Sequence, residues 1–309
     1  MNLLRNAFLK ASESTWLRDH AMHYGFMRRS AARFLPGEDL QDALAAATRL
    51  AENRIFSVFT RLGENVTLRS EAESVTQHYI EAIRRIHTSG ISGEISVKLT
   101  QLGLDLDPEF CRANLSRIVQ NSPQNATVWI DMEHSPYVDV TLDIYRSVHR
   151  EHRNTGVCVQ AYLFRTEKDL NWLIPAGASM RLVKGAYNEP PEIAFAEKED
   201  VDANFLHLAQ LLLAPEAKEA GARAAFATHD RKLIAQIARH AASRTIPNRE
   251  VEFQMLYGIQ RAEQVRLAQQ GYRVGALVSY GSYWFPWFMR RLAERPANVF
   301  FVARNLFAG

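Results

Sequence analysis

Charged and amide side chains stand close to the ends of short apolar runs along this chain. They are Glu64, Lys98 and Gln101, Asp131 and Glu133, Gln160, Arg181 and Lys184, Thr228, His229 and Asp230, and Gln254. A charge inside an apolar run needs a partner or a ligand, because an unpaired buried ion costs several kcal/mol. Singly, each is satisfied by an ion pair within the fold. Recurring in nearly every run, together they mark a site. The mix includes the cations Lys98, Arg181 and Lys184, the glutamine amides, and the small pair Gly185–Ala186 that lets a flat or phosphorylated ligand approach backbone. That chemistry suits an anion. A competing metal set would take Asp131, Glu133, His134, His229 and Asp230. The period-two alternation of a strand counts against it, since adjacent His229 and Asp230 point to opposite sides.

A second cluster lies in YWFPWFMRRLAERPAN, residues 283–298. Pro286 suits the first turn of a helix, where its missing N–H costs nothing. At 3.6 residues per turn, Trp287, Arg290, Arg291 and Glu294 share one face, with Phe288 and Leu292 on the other. Two adjacent guanidiniums form a fork for a carboxylate, which they hold by charge-assisted bonds. The alternative is a solvated face with an Arg290–Glu294 pair worth about 0.3–0.5 kcal/mol.

Positioning these groups requires a scaffold, and the runs supply one. Residues 55–63, 95–103, 126–132, 157–164, 180–187, 224–230, 251–257 and 272–280 read as strands. Between them, VTQHYIEAIRRIH, FCRANLSRIV, VTLDIYRSVH, FLHLAQLLL and RKLIAQIARHAA carry apolar residues at helical spacing. Regular alternation predicts parallel strands closed into an α/β (β/α)8 barrel, whose active site forms at the strand C-terminal ends. The GxGxxG turn of an open dinucleotide-binding sheet does not occur. The organisation expected is a helical segment over 1–50 packed on a catalytic barrel over 51–309, with a helix over the barrel mouth near the C-terminus. The longest interval follows the fifth strand, where an insertion is expected to act as a lid.

Composition excludes little more. With 309 residues and 47% apolar side chains the chain reads as globular. No apolar run reaches a membrane-spanning length and the N-terminus lacks a secretory core, so a cytoplasmic protein is expected. Cys111 and Cys158 are too few for a disulfide framework and read as buried thiols. A net charge of +3 gives nucleic-acid binding no support.

From about Glu64 to Arg304 the motifs SVKLTQLG, WIDME, VQAYLFRT, RLVKGAY, FATHD, EFQMLYGI and YGSYWFPWFMRRLAERPANV follow in order. In these the chain resembles the proline dehydrogenase family, in its monofunctional bacterial type. The resemblance implies a TIM-like barrel that binds FAD and oxidises L-proline to 1-pyrroline-5-carboxylate, the first step of proline catabolism, by hydride transfer to flavin N5. It implies flavin contacts at Met132, Gln160, Val183, Lys184, Gly185 and Ala186. Others fall at Tyr187, Thr228, His229 and Gln254, with Asp131 and Arg181 as catalytic residues tuning the flavin. Lys98, Arg290 and Arg291 would bind the substrate carboxylate, Glu294 would order them, Leu256 would pack on the ring, and Glu64 would gate the site with Arg290. A quinone acceptor and peripheral contact with the inner face of a membrane are further implications.

Two positions depart from the family pattern. By the resemblance, Leu277 and Trp287 would stand beside the substrate, at positions where the family usually has tyrosine. Losing a hydroxyl changes the shape and polarity on which ring selection depends, so hydroxyproline or another cyclic or N-alkylated amino acid is an alternative substrate. A flavin-bound, redox-responsive barrel without turnover is the alternative from another class.

Overall fold

The computed structural model describes residues 34–63 and 65–285. Within them β1 (Ile55–Arg61), β2 (Gly93–Val97), β3 (Val128–Ile130), β4 (Thr155–Gln160), β5 (Ser179–Val183), β6 (Arg223–Ala227), β7 (Glu252–Leu256) and β8 (Arg273–Tyr280) pair in parallel with their chain neighbours. β8 returns to β1, so the sheet closes into a barrel. Each expected strand is present. Several end earlier than their apolar runs. The run through 103 turns after Val97 into a 3-10 segment, Leu99–Leu102, because the Glu133 carboxylate accepts bonds from Thr100 N (3.2 Å) and Thr100 Oγ1 (2.8 Å). Lys98 and Gln101 therefore sit just past the second strand, and Asp131 and Glu133 just past the third.

Helices α1 (Leu40–Ala51), α2 (Arg69–Thr88), α3 (Pro108–Gln120), α4 (Val138–Glu151), α5 (Thr166–Leu173), α6 (Lys198–Leu212), α7 (Pro215–Glu219), α8 (Arg231–Ser243) and α9 (Arg261–Gln269) alternate with the strands. Their apolar stripes explain the packing. In α2, Ala72, Thr76, Tyr79, Ile83 and Ile86 recur every three or four residues and are buried. Caps fix the entries: Asp107 accepts from Glu109 N and Phe110 N ahead of Pro108, and Asp230 accepts from Lys232 N. The sequence motifs left α5, α7 and α9 unmarked. α9 buries the polar Glu263 and Gln264, and Gln264 Nε2 donates to Leu256 O and Ile259 O, so it lacks a clean apolar stripe.

Outward-facing strand residues join the helices in the main core, while Val58, Trp129 and Ala225, with Phe56 and Leu277 against them, fill the barrel interior. At the floor, where strands begin, buried Glu94 and Glu252 are clasped by Arg223 and Arg273. Arg223 reaches Glu94 at 2.7 Å and Glu252 at 2.9 Å; Arg273 reaches them at 3.3 and 3.1 Å. Here charges inside strands are ion-paired with one another.

The insertion after β5 is pinned down. Phe164 N donates to Ile193 O and Phe195 N to Tyr162 O, while the Glu189 carboxylate accepts from Ser135 N (2.8 Å), Ser135 Oγ (2.6 Å) and Tyr162 Oη (3.3 Å). A segment expected as a lid is thus tied to the loops after β3 and β4. No helix of the described residues is long and apolar enough to cross a membrane.

Candidate active site

The strand ends above Trp129 carry a compact polar group. Period-two alternation sends Ser96, Asp131, Cys158 and Arg181 inward, and they meet. Arg181 Nη1 donates to Asp131 Oδ1 (3.0 Å) and Ser96 Oγ (2.9 Å), and Ser96 Oγ donates in turn to Asp131 Oδ1 (2.7 Å). The Cys158 thiol reaches the same carboxylate oxygen at 3.5 Å and lies 3.7 Å from Arg181 Nη1. Burial pushes that thiol up to about 12, so it stays a neutral donor. Lys98 Nζ stands 3.8 Å from Asp131 Oδ2. Asp131 is therefore an acceptor at the junction of two cations and two neutral donors.

Arg181 is only 4% exposed, yet its Nε and Nη2 have no hydrogen-bond partner among the described residues. Gln160 is similar: Nε2 donates to Glu133 O, while Oε1 lacks a described partner. Buried polar atoms without partners are costly unless a ligand completes them. Donors and an acceptor are thus held in reserve at the barrel mouth.

The β5 exit supplies a cradle. Gly185 has φ +115°, and a Cβ there would lie 2.3 Å from Tyr162 Cδ1, so only glycine fits. Val183 and Tyr187 flank it half-buried, Ala186 is exposed, and Met132 is buried beside Asp131. Lys184 differs from expectation. It is paired with Asp202 of α6 and with Asp230 (3.3 Å), and Lys198 shares both carboxylates. Read as a bare cation for an anion, it is largely balanced within the fold.

After β6, Thr228 Oγ1 accepts from Asp230 N, and His229 Nε2 accepts from Leu256 N at 2.9 Å, which leaves Nε2 without a proton. Gln254 Nε2 donates to Glu252 Oε1 at 2.6 Å, so this amide is engaged with the floor network. Leu256 and Leu277 are register partners across β7 and β8, both half-buried, and form an apolar wall beside the polar group. Among the described residues no three His, Cys, Asp or Glu side chains gather as a metal set. Glu133 is spent on Thr100, and His134 is exposed against Tyr137 and Tyr187.

Glu64, Trp287, Arg290, Arg291 and Glu294 lie outside the described residues. Sequence reasoning missed Ser96, Cys158, Trp129, Glu189 and Asp202. Alternation carried a signal for two of them, since Ser96 and Cys158 stand two residues before Lys98 and Gln160. Asp202 had none, because the α6 helix that brings it to Lys184 is not in register with any strand. A groove of about 590 Å³ between α1 and the end of α2, lined by residues such as Arg49 and Arg85, is remote from this group.

Residues 43–304 match the family profile described as proline dehydrogenase. The chain is 38% identical over 305 residues to Proline dehydrogenase 1 of Bacillus subtilis, covering 98% of this chain and 99% of the relative. It is 33% identical over 313 residues to Proline dehydrogenase of Deinococcus radiodurans, covering 99% of each. The crystal structure of proline utilization A from Bdellovibrio bacteriovorus, inactivated by N-propargylglycine, is similar in fold with a TM-score of 0.80 at 24% identity. The match covers 87% of this chain and 33% of that one, so this chain spans about a third of that protein.

Proposed function

The chain belongs to the proline dehydrogenase family, and from that premise we propose that it oxidises L-proline to 1-pyrroline-5-carboxylate with a flavin, taken to be FAD. The observation that carries the reading is Arg181: a buried guanidinium bonded to Asp131 and Ser96 through one nitrogen, with two nitrogens left for a ligand. Gln160 Oε1 and the Gly185 cradle suit the same flat, polar-edged group. Arg181, Gln160, Gly185 and His229 would hold the flavin, Met132, Val183 and Ala186 would line it, and Lys184, Tyr187, Thr228 and Gln254 would support that shell. When bound, the flavin supplies a hydride acceptor for the ring carbon next to the substrate nitrogen.

The chain's own residues do the rest. Lys98, with Arg290 and Arg291, holds the substrate carboxylate, and Glu294 orders the two guanidiniums. Glu64 pairs with Arg290 to close the site. Leu256 and Leu277 exclude water from one side of the ring, and Arg181 with Asp131 stabilises charge as it moves during transfer. Electrons leave to a quinone, with peripheral contact at a membrane surface. The paired leucines of the wall favour a second substrate reading: without a tyrosine hydroxyl at Leu277, hydroxyproline or an N-alkylated amino acid is also accepted.

Anaerobic mixing tests the reading. Purified yellow protein should lose its oxidised-flavin absorbance on adding L-proline, and a panel of cyclic amino acids ranks the ring. Persistent colour across the panel would indicate a flavin-bound barrel without turnover. Arg291→Met should keep the flavin while weakening proline binding, and unchanged proline affinity would refute the carboxylate clamp.

A further inference from the structure

We propose that Trp129 is a positioning residue for Arg181, fixing the plane in which the guanidinium meets its ligand. The inference rests on the reading of Arg181 as a flavin-site residue. Arg181 makes its described hydrogen bonds through Nη1 alone, to Ser96, Asp131 and Cys158. A guanidinium held by one nitrogen retains freedom to turn about that anchor. Its carbon lies 4.6 Å from the Trp129 ring centroid, in contact with the face of the indole, and a cation on an indole face is attracted by the ring quadrupole. The indole removes the freedom that the bonds leave.

Trp129 is itself fixed, which distinguishes this contact from incidental packing. It is fully buried at the middle of β3, and its Nε1 donates to Glu94 Oε2 at 2.7 Å. Glu94 cannot shift, because Arg223 and Arg273 hold it in the floor network. The Arg223 guanidinium lies 5.0 Å from the same ring, from the floor side. On the neighbouring strand the register partner is Gly156, where a Cβ would stand 2.6 Å from Trp129 Cε3. The barrel thus keeps a space for this indole, bolts its polar edge to the floor, and sets Arg181 on its mouth side.

A cation held against a flavin favours the reduced form, which carries more negative charge. Loosening Arg181 should therefore make the flavin harder to reduce. The test is the two-electron midpoint potential of the full, flavin-loaded chain, measured by dye equilibration for Trp129→Phe, Trp129→Leu and Gly156→Ala, with Arg181→Met as the benchmark. Trp129→Leu should move the equilibrium about tenfold toward the oxidised form, or about 30 mV more negative. Trp129→Phe and Gly156→Ala should move it the same way by a smaller factor. If Trp129→Leu does not fold, the other two carry the test. A fall in melting temperature with an unchanged potential in those two variants, while Arg181→Met shifts it, assigns Trp129 to packing alone and overturns the inference. An unchanged potential in Arg181→Met overturns the site reading beneath it, and the inference with it.

Discussion

Replacing Gly185 by alanine tests the cradle at the β5 exit. The residue sits at φ +115°, and the new methyl would lie 2.3, 2.4 and 2.5 Å from Tyr162 Cδ1, Cε1 and Cγ. The ring has little room to retreat. Tyr162 is 7% exposed, its N donates to Lys184 O, its O accepts from Phe195 N, and its hydroxyl bonds Glu189. The backbone conformation costs about 1–3 kcal/mol for a residue with a Cβ, and forcing a methyl into a packed contact adds about 1–3 kcal/mol. The expected loss is about 2–6 kcal/mol, a fall of roughly 4–12 °C in Tm at about 2 °C per kcal/mol for a domain of this size. Differential scanning calorimetry reads the whole effect, and a double-mutant cycle separates its parts. With Tyr162→Ala in the background, Gly185→Ala should cost only the backbone part, so the two changes should couple by more than 1 kcal/mol. Strict additivity would show that the ring is not the obstacle, and an unchanged Tm in the single variant would refute the strain argument altogether.

Other outcomes follow from the same geometry. Burial, helped by the Arg61 guanidinium, holds His78 down to about 4, against 6.5 in its ordinary state. The unfolded chain thus binds the extra proton between those values. This contribution is fully present above pH 6.5 and is lost as the pH falls toward 4, by on the order of 1 kcal/mol after discounting for partial exposure. Urea denaturation across that window should show a shallower slope for His78→Gln than for the parent, and identical slopes would contradict it. Glu189→Ala removes the acceptor shared by Ser135 and Tyr162, at a local cost of about 1–3 kcal/mol. Hydrogen exchange in residues 188–197 should quicken while the barrel strands keep their protection; unaltered exchange there counts against the pin. Asp131→Asn should retain flavin yet slow flavin reduction by proline about 100-fold in stopped-flow traces, and a near-parental rate would remove Asp131 from the reaction.

Much of the barrel was legible because apolar runs and amphipathic stripes are local signals. The alternation that sends Arg181 and Asp131 inward can be read directly, and so can the glycine cradle. Strand ends were harder. Val97 closes β2 because Glu133, 36 residues on, caps the next turn, and nothing local announces that pairing. The floor network escaped notice for a related reason. Glu94, Arg223, Glu252 and Arg273 stand at strand starts, and their partners are up to 179 residues apart. Lys184 shows the limit for charge: its side chain is visible in RLVKGAY, but the carboxylates that balance it arrive on α6 and at the α8 cap. Leu277 became interpretable only when register set it beside Leu256.

The floor network also bears on how the chain matures. Glu94 enters early in synthesis, whereas Arg273, one of its two clasping arginines, is made 179 residues later on the strand that also closes the sheet against β1. Until β8 arrives, the nascent barrel has two raw edges, on β1 and β7, and a floor short of one cation. Closure and charge balance then come in a single late event, which makes the growing chain a natural client for edge-shielding chaperones. A chain halted before residue 273 should accumulate as an aggregating intermediate, and recovery of a monodisperse, protease-resistant fragment from such a truncation would argue against that order of events.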